Sequence, residues 1–371
     1  MSFTKESNMM VLLCAPYGGY VGGISRWTEQ ILNHYKNTQN SLTIEVFSLS
    51  RAEGVYSGDS LIKRLFSGIK LYIPLLIKFK SKISSCDIDI VHLTSSASYS
   101  LVKDIIMLKT AKHHNKKTFF HLRFGRIPSI YIANNWEKKL LHIAIKLSSR
   151  VIVIDQKSYE TLIGEGYKNI ELLPNPIFNT VLEIISTNKL IKREDRKVLY
   201  AGHIVPSKGI YELLKACKNI ENVKLRMIGQ ASKEVKKQLL ELAGENNEWL
   251  EFSGELNHEE TIKEMIASNI FAFPSYTEGF PNVILESMAC GCSIVATNVG
   301  AIPEMLNNQS ELPCGICIEP KNIEQLEKGL SKMLLDKDFA YFCSRNAQKR
   351  VKEAYGISIV WKQLVNLWES N

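Results

Sequence analysis

KVLYAGHIVPSKGIYELLKACKNIENVKLRMIG (197–229) opens with an apolar run at 197–202 and passes through a loop ending in Lys208-Gly209. It then takes helical spacing over 209–218 and closes in a second apolar run at 223–229. Two short apolar runs joined by a helix make a βαβ unit with parallel strands. The same alternation continues toward the C-terminus. LEFSG (250–254), IFAFPS (270–275) and SIVATN (293–298) read as strands, with helical patterns near 232–243, 258–267, 281–290 and 322–335.

Toward the N-terminus a second set appears. MMVLLCAP (9–16), LTIEVFSL (42–49), DIDIVHLT (87–94), KTFFHLRF (117–124), RVIVID (150–155) and IELLPNP (170–176) read as strands. Between the first two, Ile24, Trp27, Ile31 and Tyr35 recur at helical spacing. Residues 177–196 are polar, charged and poor in aromatics, so they read as the connection. The expected class is α/β, with two Rossmann-like, doubly wound domains facing each other across a cleft. The expected boundaries are 1–176, a linker at 177–196, 197–350, and a final segment at 351–371. With 371 residues, two cores are also what size alone favours.

Composition narrows the function. An apolar fraction of 45% and a charged fraction of 23% are ordinary for a globular protein. No window approaches the roughly 18 apolar residues of a membrane span, and the first residues lack the pattern of a secretory signal. The expected location is the cytoplasm. Eight cysteines read as reduced core residues. Cys290, Cys292, Cys314 and Cys317 have the look of a split zinc site, but their helix-end and strand-start positions argue against knuckle turns. The net charge of +8 comes with no legible nucleic-acid module. Lys63, Arg64, Lys70, Lys78 and Lys80 are interleaved with apolar residues in 61–80. That pattern fits an anionic membrane surface at the inner face of the cell membrane, and equally a packed helix with exposed lysines.

In open α/β sheets ligands bind beyond the carboxyl ends of the strands. Four places meet that rule. Gly18-Gly19-Tyr20-Val21-Gly22-Gly23 follows the first strand and lets backbone amides approach an anion. Lys208 stands at a helix start, where a cation opposes the helix dipole unless it serves an anionic ligand such as a diphosphate. In Phe273-Pro274-Ser275-Tyr276-Thr277-Glu278-Gly279-Phe280-Pro281-Asn282-Val283-Ile284-Leu285-Glu286, a strand ends in a loop and Pro281 takes the first helical position. The helix amides suit phosphate, and Glu278 and Glu286 suit sugar hydroxyls. His121 ends the fourth strand, followed by Arg123, Gly125 and Arg126.

The run EGFPNVILESMACGCSIVATNVGAIPE (278–304) resembles the signature of the retaining GT-B glycosyltransferases. Supporting features fall in family order: Gly22-Gly23, His121, Asn175-Pro176, Gly202, Lys208-Gly209 and Gly229. The resemblance implies transfer of a hexose-type sugar, with retention, from a nucleoside-diphosphate sugar to an acceptor hydroxyl. The acceptor is expected to be a glycan or lipid-linked glycan of surface polysaccharide assembly. Lys208 and His203 would meet the diphosphate, as would Gly22 and Gly23. Glu278 would hold sugar hydroxyls, with the backbone of Gly279, Phe280, Pro281, Asn282, Val283 and Ile284 beside it. Glu286 would take the ribose, and His121 would lie near the transferred sugar. The resemblance also implies a last helix that crosses back to the N-terminal domain, and no cofactor or metal. Asp87-Ile88-Asp89 is then a chance Asp-x-Asp.

One departure is visible. The family usually carries Gly-Arg where this chain has Gly202-His203, so either the donor is held more weakly or Arg123 or Arg126 supplies the missing charge. Two further readings stand beside the transferase: a sugar-nucleotide epimerase, and a non-catalytic nucleotide- or glycan-binding protein on the same fold.

Overall fold

The apolar runs become strands in a computed structural model that describes residues 9–18, 22–38, 42–50, 61–85 and 87–370, with side chains of the helix at 61–85 described over 72–84. In the first unit they are β1 (Met9–Ala15), β2 (Leu42–Ser48), β3 (Ile90–Ser95), β4 (Lys117–Leu122), β5 (Arg150–Val153) and β6 (Ile170–Leu172). Their order is β2-β1-β3-β4-β5-β6 and every pairing is parallel. In the second they are β7 (Glu194–Ala201), β8 (Lys224–Ile228), β9 (Leu250–Gly254), β10 (Ser268–Phe273), β11 (Ser293–Thr297) and β12 (Ile316–Ile318). Their order is β12-β11-β10-β7-β8-β9, again all parallel.

Helices cover both faces of such sheets, so central strands lose their polar alternation. Val11 to Ala15 and Val198 to Tyr200 are accordingly buried without a break. The strand order also fixes where ligands can approach. Where neighbouring strands send their connections in opposite directions, the chain leaves a crevice at their carboxyl ends. That point lies between β7 and β10 in one unit and between β1 and β3 in the other.

The first unit comprises the chain to Leu173 together with Val365 onward; the second runs from Pro174 to Leu364. Two of the elements not read from the sequence have a local reason for it. Residues 177–196 contain a helix, Asn179–Thr187, introduced by Phe178 with no side-chain cap, so no capping residue announced it. β12 has three residues at a sheet edge, too short for a periodic signal.

Residues Leu61–Ser85 form one helix with Pro74 inside it. Phe79 and Ile83 are buried, and the Phe79 ring stands edge-on to Phe47 at 5.4 Å. Ile73, Ile77, Lys78 and Lys80 are exposed; the side chains of Lys63, Arg64 and Lys70 lie outside the described residues. Among the described residues no helix is long and apolar enough to cross a membrane. Cys290 and Cys292 are core residues whose thiols burial pushes up. No cluster of three metal-ligating side chains occurs among the described residues.

Candidate functional site

The loops that leave β7 and β10 are bound to one another. After β7, Tyr200 donates its hydroxyl proton to the His203 carbonyl at 2.8 Å, and a 3-10 turn follows at Pro206–Lys208. Gly209 then takes φ +70° and starts the helix Ile210–Lys218. A Cβ on Gly209 would lie 2.1 Å from the Pro274 carbonyl oxygen, so only glycine lets the two loops close. The Tyr276 amide donates to the Ser207 carbonyl at 3.0 Å, and the Tyr276 hydroxyl donates to Glu212 at 2.7 Å. From the neighbouring strand, Thr297 donates to the Ser275 carbonyl at 2.5 Å. Gly300, at φ +54°, sits under the Glu278 and Gly279 carbonyls, where a Cβ would clash at 2.4 and 2.5 Å. The Ala301 amide donates to Gly279 at 2.8 Å.

These ties bring Lys208 and Glu278 into an ion pair, with side chains 26% and 14% exposed. Half-buried partners at this depth feel each other more strongly than a surface pair would. Just beyond, the helix Asn282–Ala289 begins with Pro281 at the capping position, one residue before the first helical position expected for it. No side chain caps its first turn. Asn175 donates to the Phe280 carbonyl at 3.3 Å and to Asn282 Oδ1 at 3.0 Å, fixing the entry. Ile284 is core. Glu286 is buried and accepts a hydrogen bond from His258 Nε2 at 2.9 Å. A carboxylate only accepts, so His258 must carry its proton on Nε2. The sequence reading missed His258: it opens a helix capped by Asn257, and only the sheet order sets that helix beside Glu286. His203, by contrast, is exposed.

Gly22, Gly23 and His121 belong to the first unit. Gly22 caps the helix Gly23–Lys36 with extended backbone, φ −167°, and a Cβ on Gly23 would meet nothing within 4 Å. Neither position needs glycine for its conformation, so the missing side chains leave room beside the helix start. Gly19, Tyr20 and Val21 lie outside the described residues. His121, at the end of β4, is fully buried. Its Nδ1 is 3.1 Å from His92 Nε2, and its Nε2 is 3.3 Å from Arg123 Nη1. His92 Nδ1 in turn accepts from the Trp368 indole at 3.1 Å. Burial pushes His92 down to about 3, helped by the Arg123 charge. Burial, then Arg123 and His92, push His121 well down. Arg126 is committed elsewhere: it pairs bidentately with Glu137 at 2.6 and 2.8 Å. Asp89 accepts from the Met10 amide at 2.7 Å, at the opposite end of β3 from the loop that follows it.

Residues 183–350 match the family described as glycosyl transferases group 1. The chain carries a group 1 glycosyltransferase domain. The loops and ion pair after β7 and β10 fall inside that domain. An uncharacterized glycosyltransferase of Haemophilus influenzae is 30% identical over 233 residues, which is 60% of this chain and 63% of the relative. The capsular polysaccharide biosynthesis glycosyltransferase CapM of Staphylococcus aureus is 29% identical over 243 residues, 62% of this chain and 61% of CapM. The matches thus span about three fifths of these relatives. Among solved structures, Anabaena Alr3699/HepE in complex with UDP and glucose superposes with a TM-score of 0.71 at 19% identity, covering 98% of this chain and 100% of that one. Sucrose-phosphate synthase from Thermosynechococcus elongatus superposes at 0.75 with 16% identity, covering 98% of both. The group 1 domain and the N-terminal unit together have the GT-B fold.

Two predictions follow from this geometry. Gly209→Ala and Gly300→Ala should each lower stability by more than about 1 kcal/mol, because a strained φ and a backbone clash act together. Gly23→Ala, tested in the same thermal melts, should leave the midpoint unchanged or raise it. Separately, His92 and His121 stay neutral in the folded chain but take up protons near 6.5 when it unfolds. Their contribution is therefore present above about pH 6.5 and lost as pH falls toward the folded value of about 3 for His92. Thermal midpoints between pH 7.5 and 5 should fall, with a shallower slope in His92→Phe; an equal slope in the variant would contradict this.

Proposed function

We propose that the chain is a retaining glycosyltransferase that moves a hexose-type sugar from a nucleoside-diphosphate sugar to an acceptor hydroxyl without a metal. The observation that carries this reading is the Lys208–Glu278 pair at the β7/β10 crossover, beside the uncapped start of the helix Asn282–Ala289. An ammonium and the start of a helix without a side-chain cap suit a diphosphate, while a carboxylate suits sugar hydroxyls. Both charges are already oriented, so a donor exchanges their mutual pairing for its own.

In this reading the leaving diphosphate is stabilised by Lys208 and the helix start, the task a divalent cation performs in other enzymes. Glu286, held by His258, takes the ribose. Gly22 and Gly23 admit the diphosphate closely, and His121 contacts the transferred sugar. Positioning and electrostatics then carry the rate. The relationship to a capsular polysaccharide enzyme supports a glycan or lipid-linked glycan as acceptor. The exposed Lys78 and Lys80 beside Ile73 and Ile77 suit contact with an anionic membrane surface. A non-catalytic nucleotide-binding protein is the second reading, favoured by the exposed His203 where the family carries arginine.

Thermal shifts with UDP, GDP, ADP and CMP, each with EDTA, test the site. At a hundredfold excess over Kd a ligand adds roughly 2.7 kcal/mol. One nucleoside diphosphate should shift the wild type and not Lys208→Ala. Glu278→Ala should keep or enlarge the shift, since it frees Lys208, yet lose sugar transfer from the matching donor. Transfer that survives in Glu278→Ala, or a shift that needs a divalent metal, would overturn the assignment. Binding without transfer in the wild type would favour the second reading.

A further inference from the structure

Arg123 carries a charge that the fold leaves uncompensated. Its amide donates to the Ser95 carbonyl at 2.8 Å, so the pairing of β4 with β3 runs one residue past Leu122. The side chain lies over Trp27, with the guanidinium carbon 4.3 Å from the ring centroid. Nη1 also stands 3.3 Å from His121 Nε2. Among the described residues no side-chain oxygen or carbonyl takes any N–H of this guanidinium. The other half-buried arginines are matched by oxygen. Arg150 donates to Glu171 and Arg226 to Glu251, both at 2.9 Å. Arg196 donates to the Glu221 carbonyl at 2.6 Å, and Arg350 to the Glu304 carbonyl at 2.9 Å. All four are half-buried, as Arg123 is. A charge taken partly out of water is tolerated where such partners stand in for the water.

The charge is felt by its neighbours. Burial first, and then Arg123, push His92 and His121 down. Burial also pushes Arg123 itself down to about 9. The acids at this end of the sheet are committed elsewhere: Glu137 to Arg126, and Asp104 to Lys103 and Ser95. The place is also one where a parallel sheet admits ligands. Trp27 belongs to the helix that follows β1, and its ring stacks on His92 of β3. Arg123 stands two residues beyond His121, so its guanidinium lies toward the carboxyl ends of the strands, beside the β1/β3 crossover. Trp27 is buried, and its ring holds the guanidinium in place before any ligand arrives.

We propose that Arg123 is an anion receptor, which takes a phosphate or carboxylate group of a ligand bound at the carboxyl end of the first sheet. The planar fork of a guanidinium matches two oxygens of such a group. One face of the fork is covered by Trp27, and its N–H edge is left for the anion. Trp27 is then a positioning residue. The anion comes either from the diphosphate of the donor or from an acidic acceptor, and both offer the same chemistry. The anion site stands without the transferase activity; its assignment to donor or acceptor rests on that reading.

The test titrates inorganic phosphate into the full-length chain labelled with ¹⁵N-histidine, against chloride at equal ionic strength. The His92 and His121 ring signals, assigned by single replacements, should move saturably with phosphate and stay in place with chloride. No saturable movement in the wild type would overturn the proposal without recourse to a variant. Arg123→Met removes the charge and keeps an unbranched chain against Trp27. It should weaken phosphate binding about tenfold or more, as loss of one charged hydrogen bond implies. In phosphate-free buffer its thermal midpoint should equal or exceed that of the wild type, because no oxygen partner is lost. Undiminished phosphate binding in Arg123→Met, or a midpoint lowered by several degrees, would make Arg123 a structural residue instead. The nucleoside diphosphate that shifts the wild type then identifies the source. Movement of the same ring signals assigns the anion to the donor. Signals that stay in place, while phosphate still moves them, assign it to an acidic acceptor. Phosphate binding at Arg123 in a chain that transfers no sugar would keep the anion site and remove the transferase reading.

Discussion

The closeness of two loops at the β7/β10 crossover is the constraint on which the candidate site depends. Parallel strands whose connections diverge leave a gap at their carboxyl ends, and here the gap is narrowed until Gly209 lies under the Pro274 carbonyl. Nothing larger than hydrogen fits there. That single contact sets the distance from which Lys208 meets Glu278, and the Tyr276–Ser207 and Thr297–Ser275 hydrogen bonds keep it from opening. A second glycine, Gly300, repeats the device beneath Glu278 itself. The charged pair is thus a consequence of backbone packing, and its orientation costs little when a ligand arrives.

The first unit organises its polar groups differently. At the end of β4 stands a buried row of neutral rings, kept neutral by desolvation and by the Arg123 charge. Neutrality matters because a protonated imidazole donates from both nitrogens, and His92 Nδ1 could then not accept from Trp368. The final turn of the last helix contributes Trp368, and Lys117 donates to the Ser370 carbonyl close by. A residue far along the sequence therefore meets the ring that stands beside His121 at the end of β4.

Much of the architecture was legible because parallel βαβ units write themselves as short apolar runs separated by helical spacing, and the described strands other than β12 fell where those runs are. The Lys208–Glu278 partnership was half-legible: a lysine opposing a helix dipole and a carboxylate at a strand end each stood out, but nothing local says that they meet. His258 and Glu286 were closer to invisible, since their contact depends on which helix the sheet order places beside another. His92 lay inside an apolar strand and Trp368 inside an amphipathic helix, where each reads as core. The helix Asn179–Thr187 escaped because its start lacks a capping side chain, and β12 because three residues carry no period.

Amide hydrogen exchange of the intact chain, with and without a panel of UDP-, GDP- and ADP-sugars, tests the central claim most directly. One class of nucleotide sugar should slow exchange at 202–209 and 275–286, the two loops of the crossover and the helix start beside them, with smaller effects on the rest of the second sheet. Protection confined to other segments, or none with any donor that the chain can be shown to bind, would contradict the assignment of this crossover as the donor site.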